Sequence, residues 1–209
     1  MFVRDYMARA PITIEKDTPV FKALTIMKNN KIRHLPVVSK GKLLGIVTEK
    51  NLFYLSPSPA TSLSIFEINS LMAEITVAEA MKTVQPVYPD TTMEEAALYM
   101  REHKIGGLPV VEGDVLVGLI TESDIFDAMV KLFGYGKPGI RMVIEATDRV
   151  GLIADITKII KDFDIVIRSI VTFDKDDNKT DIVLRLNVVD PAPLVTALES
   201  NGFEVSYII

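Results

Sequence analysis

The sequence predicts an α/β (α+β) chain: a tandem pair of like units related by pseudo-twofold symmetry, followed by a smaller split β-α-β domain. Three observations predict it. Leu35-Pro36-Val37-Val38, with Gly45-Ile46-Val47-Thr48-Glu49 after it, returns about 73 positions later as Leu108-Pro109-Val110-Val111 and Gly118-Leu119-Ile120-Thr121-Glu122. A repeat of this kind decides the architecture, and two copies make a pair rather than a solenoid. Then Gly134-Tyr135-Gly136-Lys137-Pro138-Gly139 marks a boundary by its turn chemistry, and the apolar pattern changes beyond it.

Each repeat reads as strand, helix, strand, strand, helix. Val3 to Met7 is a short amphipathic lead-in that recurs as Val77 to Met81. In the first repeat Asp17 or Thr18 can cap a helix with Pro19 in its first turn. In the second, Thr91 with Glu94 or Thr92 with Glu95 has capping-box spacing. The apolar sets Val20, Ala23, Leu24, Met27 and Met93, Ala96, Ala97, Met100 fall in register and bury one helical face. Leu35 to Val38 and Leu43 to Val47, joined by Ser39-Lys40-Gly41-Lys42, read as a hairpin. A closing helix starts at Glu49 or Glu122.

Ser56-Pro57-Ser58-Pro59 breaks the first closing helix, because proline lacks the donor and disfavours helix in the residue before it. Leu63 to Glu74 then forms a helix with Ile65, Ile68, Leu71 and Met72 as its apolar stripe, either a plain linker or a dimer contact. The second closing helix runs from Ser123 to about Phe133. Met27, Met93, Met100 and Met129 sit at core spacing as packing residues.

From Ile140 the elements are Ile140 to Ala146, Leu152 to Phe163, Ile165 to Phe173, Thr180 to Val188, Pro191 to Ser200 and Phe203 to Ile208. The first helix buries Ile156, Ile159, Ile160 and Phe163. The second has Asp190 as its cap, Pro191 in its first turn and Asn201-Gly202 as its stop. The charged turn Asp174 to Lys179 joins the middle strands. This is a ferredoxin-like order.

Composition narrows the function. A chain of 209 residues holds about two compact domains. Its net charge of -5 and pI near 5.2 argue against general nucleic-acid binding, which needs a basic face. The absence of cysteine excludes a disulfide framework, a thiolate nucleophile and a cysteine metal site. No apolar run reaches the roughly 20 residues of a membrane span and no charged-then-apolar leader opens the chain, so a cytoplasmic protein is expected. The two histidines, His34 and His103, occupy non-matching positions of the repeats, and no spacing sets a base beside a nucleophile. The expectation is no enzyme and no metal.

The motifs Lys31-Ile32-Arg33-His34-Leu35-Pro36-Val37-Val38 and Gly118-Leu119-Ile120-Thr121-Glu122-Ser123-Asp124, recurring in register over residues 1 to about 135, resemble the CBS domain, a module found in pairs called Bateman modules. The C-terminal part, with Asp148-Arg149-Val150-Gly151-Leu152-Ile153 between its first strand and helix, resembles an ACT domain, although Val150 stands where that family commonly has proline. The implied domains are 1–56 and 76–135 for the CBS copies, 57–75 for the linker helix and 139–209 for the ACT domain. The whole is similar to acetoin-utilisation accessory proteins, which implies a regulatory role.

The resemblance also implies a ligand: AMP, ADP, ATP or an adenosyl compound in a cleft between the CBS copies. In such families the Thr-x-x-Asp of one copy holds the ribose, and the other copy supplies first-strand backbone to the base and polar residues before its Leu-Pro to the phosphate. Thr121 and Asp124 fit the first role, and Ile12, Thr13, Arg33 and His34 the second. The opposite cleft would combine Thr48 and Asn51 with Val84, Gln85, Gly106 and Gly107, and neither charge falls there, so one competent site per pair is expected. Plainer readings stand beside these: Thr121 as a helix cap, Asp124 as a first-turn acid, Arg33 and His34 as a solvated helix end. In the ACT part, Asp148 and Gly151 read equally as a cap and a packing turn or as a loop for an amino acid or other small metabolite. A homodimer is expected, through helical CBS faces and ACT sheet edges. Ligand binding would clamp the CBS copies together and shift the ACT domain through the Gly134 to Gly139 linker. The competing reading is a structural dimerisation subunit with empty clefts.

Overall fold

The computed structural model describes residues 1–55, 64–176 and 178–209, which fall into two compact units, Met1–Phe126 and Asp127–Ile209. In the first unit the repeat is visible element by element. Its first half has a 3-10 turn at Val3–Asp5, β1 (Ala8–Arg9), α1 (Val20–Asn30), β2 (His34–Ser39), β3 (Lys42–Thr48) and α2 (Glu49–Tyr54). After α3 (Ile65–Glu74) come a 3-10 turn at Val77–Glu79, α4 (Met93–His103), β4 (Gly107–Glu112), β5 (Val115–Thr121) and the start of α5 (Glu122–Leu132).

The hairpins β2–β3 and β4–β5 match down to their irregularities, with register shifts at Val37/Val38 and Val110/Val111. The two pair through Lys42 and Val115, and the exposed Lys42 Nζ meets Asp114 at 3.1 Å. Lys40 and Gly41 both take positive φ, as a tight two-residue hairpin turn requires. Inside lie Val20, Ala23, Met27, Leu35, Val37 and Val47, with Met93, Ala96, Met100, Leu108, Val110 and Ile120 as the second set. Met129 is an exception to the expected methionine packing, being 46% exposed.

The repeats exchange their lead-in segments. Ala8 and Arg9, which precede the first repeat, pair with Leu119 and Gly118 of the second, while Lys82 pairs with Ile46 of the first. The main chain of Val3 and Arg4 donates to Thr91 and Pro89, and Val77 and Ala78 donate back to Thr18 and Lys16. At these crossings a side chain would collide: a Cβ on Gly45 would lie 2.6 Å from the Lys82 carbonyl, and one on Gly118 would meet Met7. Glycine is the residue that lets two backbones approach this closely.

The exchange also corrects the expected cap of α1. Neither Asp17 nor Thr18 caps it; the N-cap is Pro19 and no side chain bonds there. The Val20 amide donates instead to the Ile75 carbonyl, so a neighbouring chain segment supplies the acceptor. For α4 the box is Thr92 with Glu95, whose carboxylate accepts from the Thr92 amide at 2.9 Å, whereas the Thr91 hydroxyl accepts from the Tyr88 amide. The linker helix starts near its expected place, with Ser64 and Glu67 bonding reciprocally and Ile68 packed on the first repeat's core. Ser56-Pro57-Ser58-Pro59, Leu63 and the side chains of Ile65, Leu71 and Met72 lie outside the described residues.

The second unit carries β6 (Ile140–Thr147), α6 (Leu152–Asp162), β7 (Val166–Asp174), β8 (Lys179–Asn187), α7 (Ala192–Ser200) and β9 (Glu204–Ile208). Its antiparallel sheet has the order β7-β8-β6-β9. One sheet face presents Met142, Ile144, Ile182, Leu184 and Leu186 to Ile156 and Ile160 of α6 and Leu194 and Leu198 of α7. The expected burial of Phe163 is corrected: it follows the last turn of α6 and is 39% exposed. Asp190 does accept from the Ala192 amide at 3.0 Å, with Pro191 as the N-cap. The Gly134 to Gly139 segment is tied to the sheet, since Arg185 Nη2 donates to the Lys137 carbonyl and Phe133 stacks on Phe173. Asp177 of the charged turn lies outside the described residues. Among the described residues no helix is long and apolar enough to cross a membrane.

Candidate functional site: two unequal clefts between the repeats

Pseudo-symmetry places the end of each hairpin and the start of its closing helix beside the other repeat. The Glu49 amide bonds the Arg33 carbonyl and the Glu122 amide bonds the Gly106 carbonyl. His34 and Gly107 pair with Thr48 and Thr121 across their hairpins. Two clefts result, sharing Arg33, His34, Gly106 and Glu122 as common lining.

The first cleft, about 290 Å³, brings Arg33 and His34 of the first repeat together with Thr121 and Asp124 of the second, along with Lys31, Ala8 and Glu122. One carboxylate oxygen of Asp124 accepts from the Thr121 amide at 2.8 Å and from the Thr121 hydroxyl at 2.6 Å. These two bonds lock the carboxylate's orientation, and its second oxygen keeps acceptor capacity. Ile12 and Thr13 are not among the residues lining this cleft. Ile12 is exposed, and Thr13 lines a separate surface cleft of about 240 Å³ with Ile14, Glu15, Thr18 and Lys22. Ala8 occupies the first-strand position instead, because the lead-in pairs with β5 before it turns back to its own repeat.

The second cleft is larger, about 490 Å³. It holds the expected Thr48, Asn51, Val84, Gly106 and Gly107, though not Gln85, and Arg33, expected only at the first cleft, lines this one too. Arg33, Lys50, Lys82 and Lys104 line it, against Glu49 and Glu122. Sequence reasoning missed the lysines because Lys50 follows a strand end, Lys82 sits on an exchanged lead-in and Lys104 ends a helix; only folding gathers them. In this cleft the Thr48 hydroxyl bonds the Asn51 side-chain oxygen at 2.8 Å and accepts from the Asn51 amide at 3.1 Å, so the local box persists without a carboxylate.

His34 stands between the clefts. Its ring packs on the second repeat: a Cβ on Gly106 would lie 3.2 Å from Nε2, and one on Gly107 would lie 3.2 Å from Cδ2. The glycine pair is thus the socket for the imidazole. Burial, and then the neighbouring Arg33 guanidinium, push the His34 pKa below its ordinary value, so at neutral pH the ring is an uncharged hydrogen-bonding group. Of the residues common to both clefts, Arg33 is the one that carries a fixed positive charge. His103 is elsewhere, exposed and stacked on Tyr99. No cluster of three or more metal-ligating side chains occurs among the described residues.

In the second unit Asp148 and Gly151 line a cleft of about 290 Å³ with Arg149, Thr172, Asp174 and Thr180. Asp148 does not cap α6; Gly151, at φ +85°, is the N-cap, and the Asp148 backbone is held by Asn178. Arg149 forms an ion pair with Asp155 at 2.6 Å beside the cleft.

Comparison with known proteins agrees with this anatomy. The CBS domain model matches residues 3–57 and 73–131, and the ACT domain model residues 140–203. A CBS domain-containing protein of Dictyostelium discoideum is 32% identical over 63% of this chain and 93% of its own length. A homoserine O-acetyltransferase of Methanosarcina acetivorans is also 32% identical, but over only 21% of its length. Among solved structures, a Vibrio cholerae protein provisionally named an acetoin utilization protein (AcuB) shares 38% identity at a TM-score of 0.53, over 66% of this chain and 98% of that one. A CBS domain pair in complex with 5-methylthioadenosine and S-adenosyl-L-methionine is 27% identical at a TM-score of 0.52, over 63% and 97%. CBSX2 in complex with AMP is 25% identical at 0.51, over 62% and 96%. The chain belongs to the CBS-domain family, with two CBS domains followed by a C-terminal ACT domain.

Proposed function

We propose that this chain is a non-catalytic regulatory protein that senses an adenine nucleotide or adenosyl compound at its CBS pair, with a second small metabolite or amino acid at the ACT cleft of Asp148 and Gly151. The observation that carries the reading is the cleft in which Thr121 and Asp124 of one repeat face Arg33 and His34 of the other. A fixed, half-buried carboxylate suits a ribose diol, because charge-assisted hydrogen bonds are worth roughly 1.5 to 3 kcal/mol. Arginine suits a phosphate through its forked donors. The complexes of related CBS proteins with AMP and with adenosyl ligands support the ligand class. The Dictyostelium CBS domain-containing protein matches over 93% of its own length and the acetyltransferase over only 21%, which supports a regulatory rather than catalytic role.

Occupancy would hold the repeats in one arrangement and so bias the chain between states, by no more than the ligand's differential affinity for them. The test is thermal unfolding with AMP, ADP, ATP, 5-methylthioadenosine and S-adenosylmethionine, joined to mass spectrometry of small molecules carried through purification. A ligand at a hundred times its dissociation constant adds about 2.7 kcal/mol. If the whole panel leaves the melting temperature unmoved at millimolar concentration and nothing co-purifies, the chain is a structural dimerisation subunit with empty clefts.

A further inference from the structure

The two crossings that tie the repeats together each carry a methionine. Met7 and Met81 hold equivalent places on the exchanged lead-ins, and their amides donate alike to the carbonyls of Val3 and Val77. A Cβ added at Gly45 would lie 2.8 Å from Cγ and 3.1 Å from the sulfur of Met81, and one added at Gly118 would collide with the sulfur of Met7. Each thioether thus covers the bare face of a glycine, and Met81 also packs on the first repeat's core. Both residues are half-buried, between the exposed Met1 and Met129 at 41% and 46% and the enclosed Met27, Met93, Met100 and Met142 at 3% or less. The chain has nine methionines and no cysteine, so its sulfur chemistry rests on thioethers alone.

We propose that Met7 and Met81 are a matched pair of modification sites, oxidised to the sulfoxide by a hydroperoxide, and that their oxidation loosens one repeat from the other. The sulfur takes one peroxide oxygen: an S–O bond forms as the O–O bond breaks, and the departing hydroxide collects the proton of the transferred oxygen and leaves as water. Sulfur loses two electrons and the peroxide gains them. The product is polar where the thioether was apolar. Against the glycine backbone the new oxygen has neither room nor a donor, so the side chain swings out to water and the glycine loses its cover. An exposed methionine is oxidised without this consequence and a core methionine is shielded; reach and effect coincide at the crossings. The inference goes beyond the sensor reading and stands without it, because no ligand enters the chemistry.

The test is treatment of the full chain with hydrogen peroxide, followed by peptide mass mapping, melting curves and hydrogen exchange. Met7 and Met81 are expected to gain oxygen several times faster than Met27, Met93, Met100 and Met142. Their oxidation is expected to lower the melting temperature by about 4 °C. It should also speed exchange in peptides holding Ile46 and Lys82, whose amides donate to each other's carbonyls across one crossing. The two methionine sulfoxide reductases with a dithiol, which becomes a disulfide as the oxygen leaves in water, should restore both readings. Met7→Leu joined to Met81→Leu conserves volume and should abolish the loss on peroxide treatment, whereas Met129→Leu should lose as much as the parent. If the double variant does not fold, each single variant is expected to show about half the parent's loss. Oxidation of Met7 and Met81 no faster than that of the four core methionines, or leucine variants that lose as much as the parent, would overturn the proposal.

Discussion

Single residues decide how the clefts respond to ligand and to pH. Asp124 and Asn51 hold equivalent places, and only Asp124 offers a charged acceptor. Asp124→Ala should cost adenosine binding roughly 1.5 to 3 kcal/mol, about tenfold to hundredfold, and Asn51→Ala almost nothing; calorimetry showing equal losses would reject the assignment. Arg33→Ala should weaken AMP far more than adenosine. His34 makes a second prediction. Its folded pKa lies below the ordinary value of 6.5, so on acidification the unfolded chain takes up a proton first. The stability it contributes is complete above about pH 6.5 and is lost as pH falls through the lowered folded value. Melting curves across this range should slope less steeply in His34→Asn. In the ACT sheet, hydrogen bonds and charge from Lys175 and Lys179 hold Glu145 down to about 2, at contacts of 2.8 and 2.6 Å. Its contribution is present above about pH 4.5 and fades towards pH 2. Glu145→Gln should remove that part of the acid transition, and salt should shrink the difference between the proteins.

At the scale of elements, the exchanged lead-ins explain both an accurate and an inaccurate expectation. The capping box of α4 is local, Thr92 and Glu95 being three residues apart, and so it is legible in sequence. The start of α1 is not local: its amide at Val20 is satisfied by Ile75, which no short window contains. The crossing of Gly45 with the lead-in at Lys82 is equally invisible until the backbones meet. Gly45→Ala should destabilise the CBS pair by about 1 to 3 kcal/mol through overpacking against a backbone carbonyl that cannot swing aside. Gly41→Ala meets no atom within 4 Å but sits at φ +80°, so its cost is conformational strain alone. Urea titration of the two variants separates packing from strain, and a Gly45→Ala protein as stable as the parent would contradict the close crossing.

For the whole molecule, the two clefts share Arg33, His34, Gly106 and Glu122. One guanidinium cannot serve two phosphates fully at once, so filling one cleft should lower the affinity of the other for a phosphorylated ligand. By linkage the effect must be reciprocal. Titrating AMP past one equivalent measures the coupling, and two equal affinities would mean that the clefts act independently. Assembly is a separate matter. Phe66 and Phe126 are 82% and 61% exposed on α3 and α5, and large apolar side chains in water favour association. Together with the unpaired outer edges of β7 and β9, this predicts at least a homodimer by light scattering at micromolar concentration; a monomer there would refute it.

The sequence by itself determined the repeat, the order of elements, the hairpin turns, the ferredoxin-like domain and the asymmetry between Asp124 and Asn51, because all of these depend on neighbours within a few residues or on self-similarity along the chain. Tertiary structure alone decided what stands opposite what. It put Ala8 rather than Ile12 or Thr13 at the smaller cleft, seated His34 on Gly106 and Gly107, and collected Lys50, Lys82 and Lys104 around the larger one. The physical reason is the exchange of the lead-ins: a strand that pairs with the other repeat carries its side chains to a site that local pattern cannot assign.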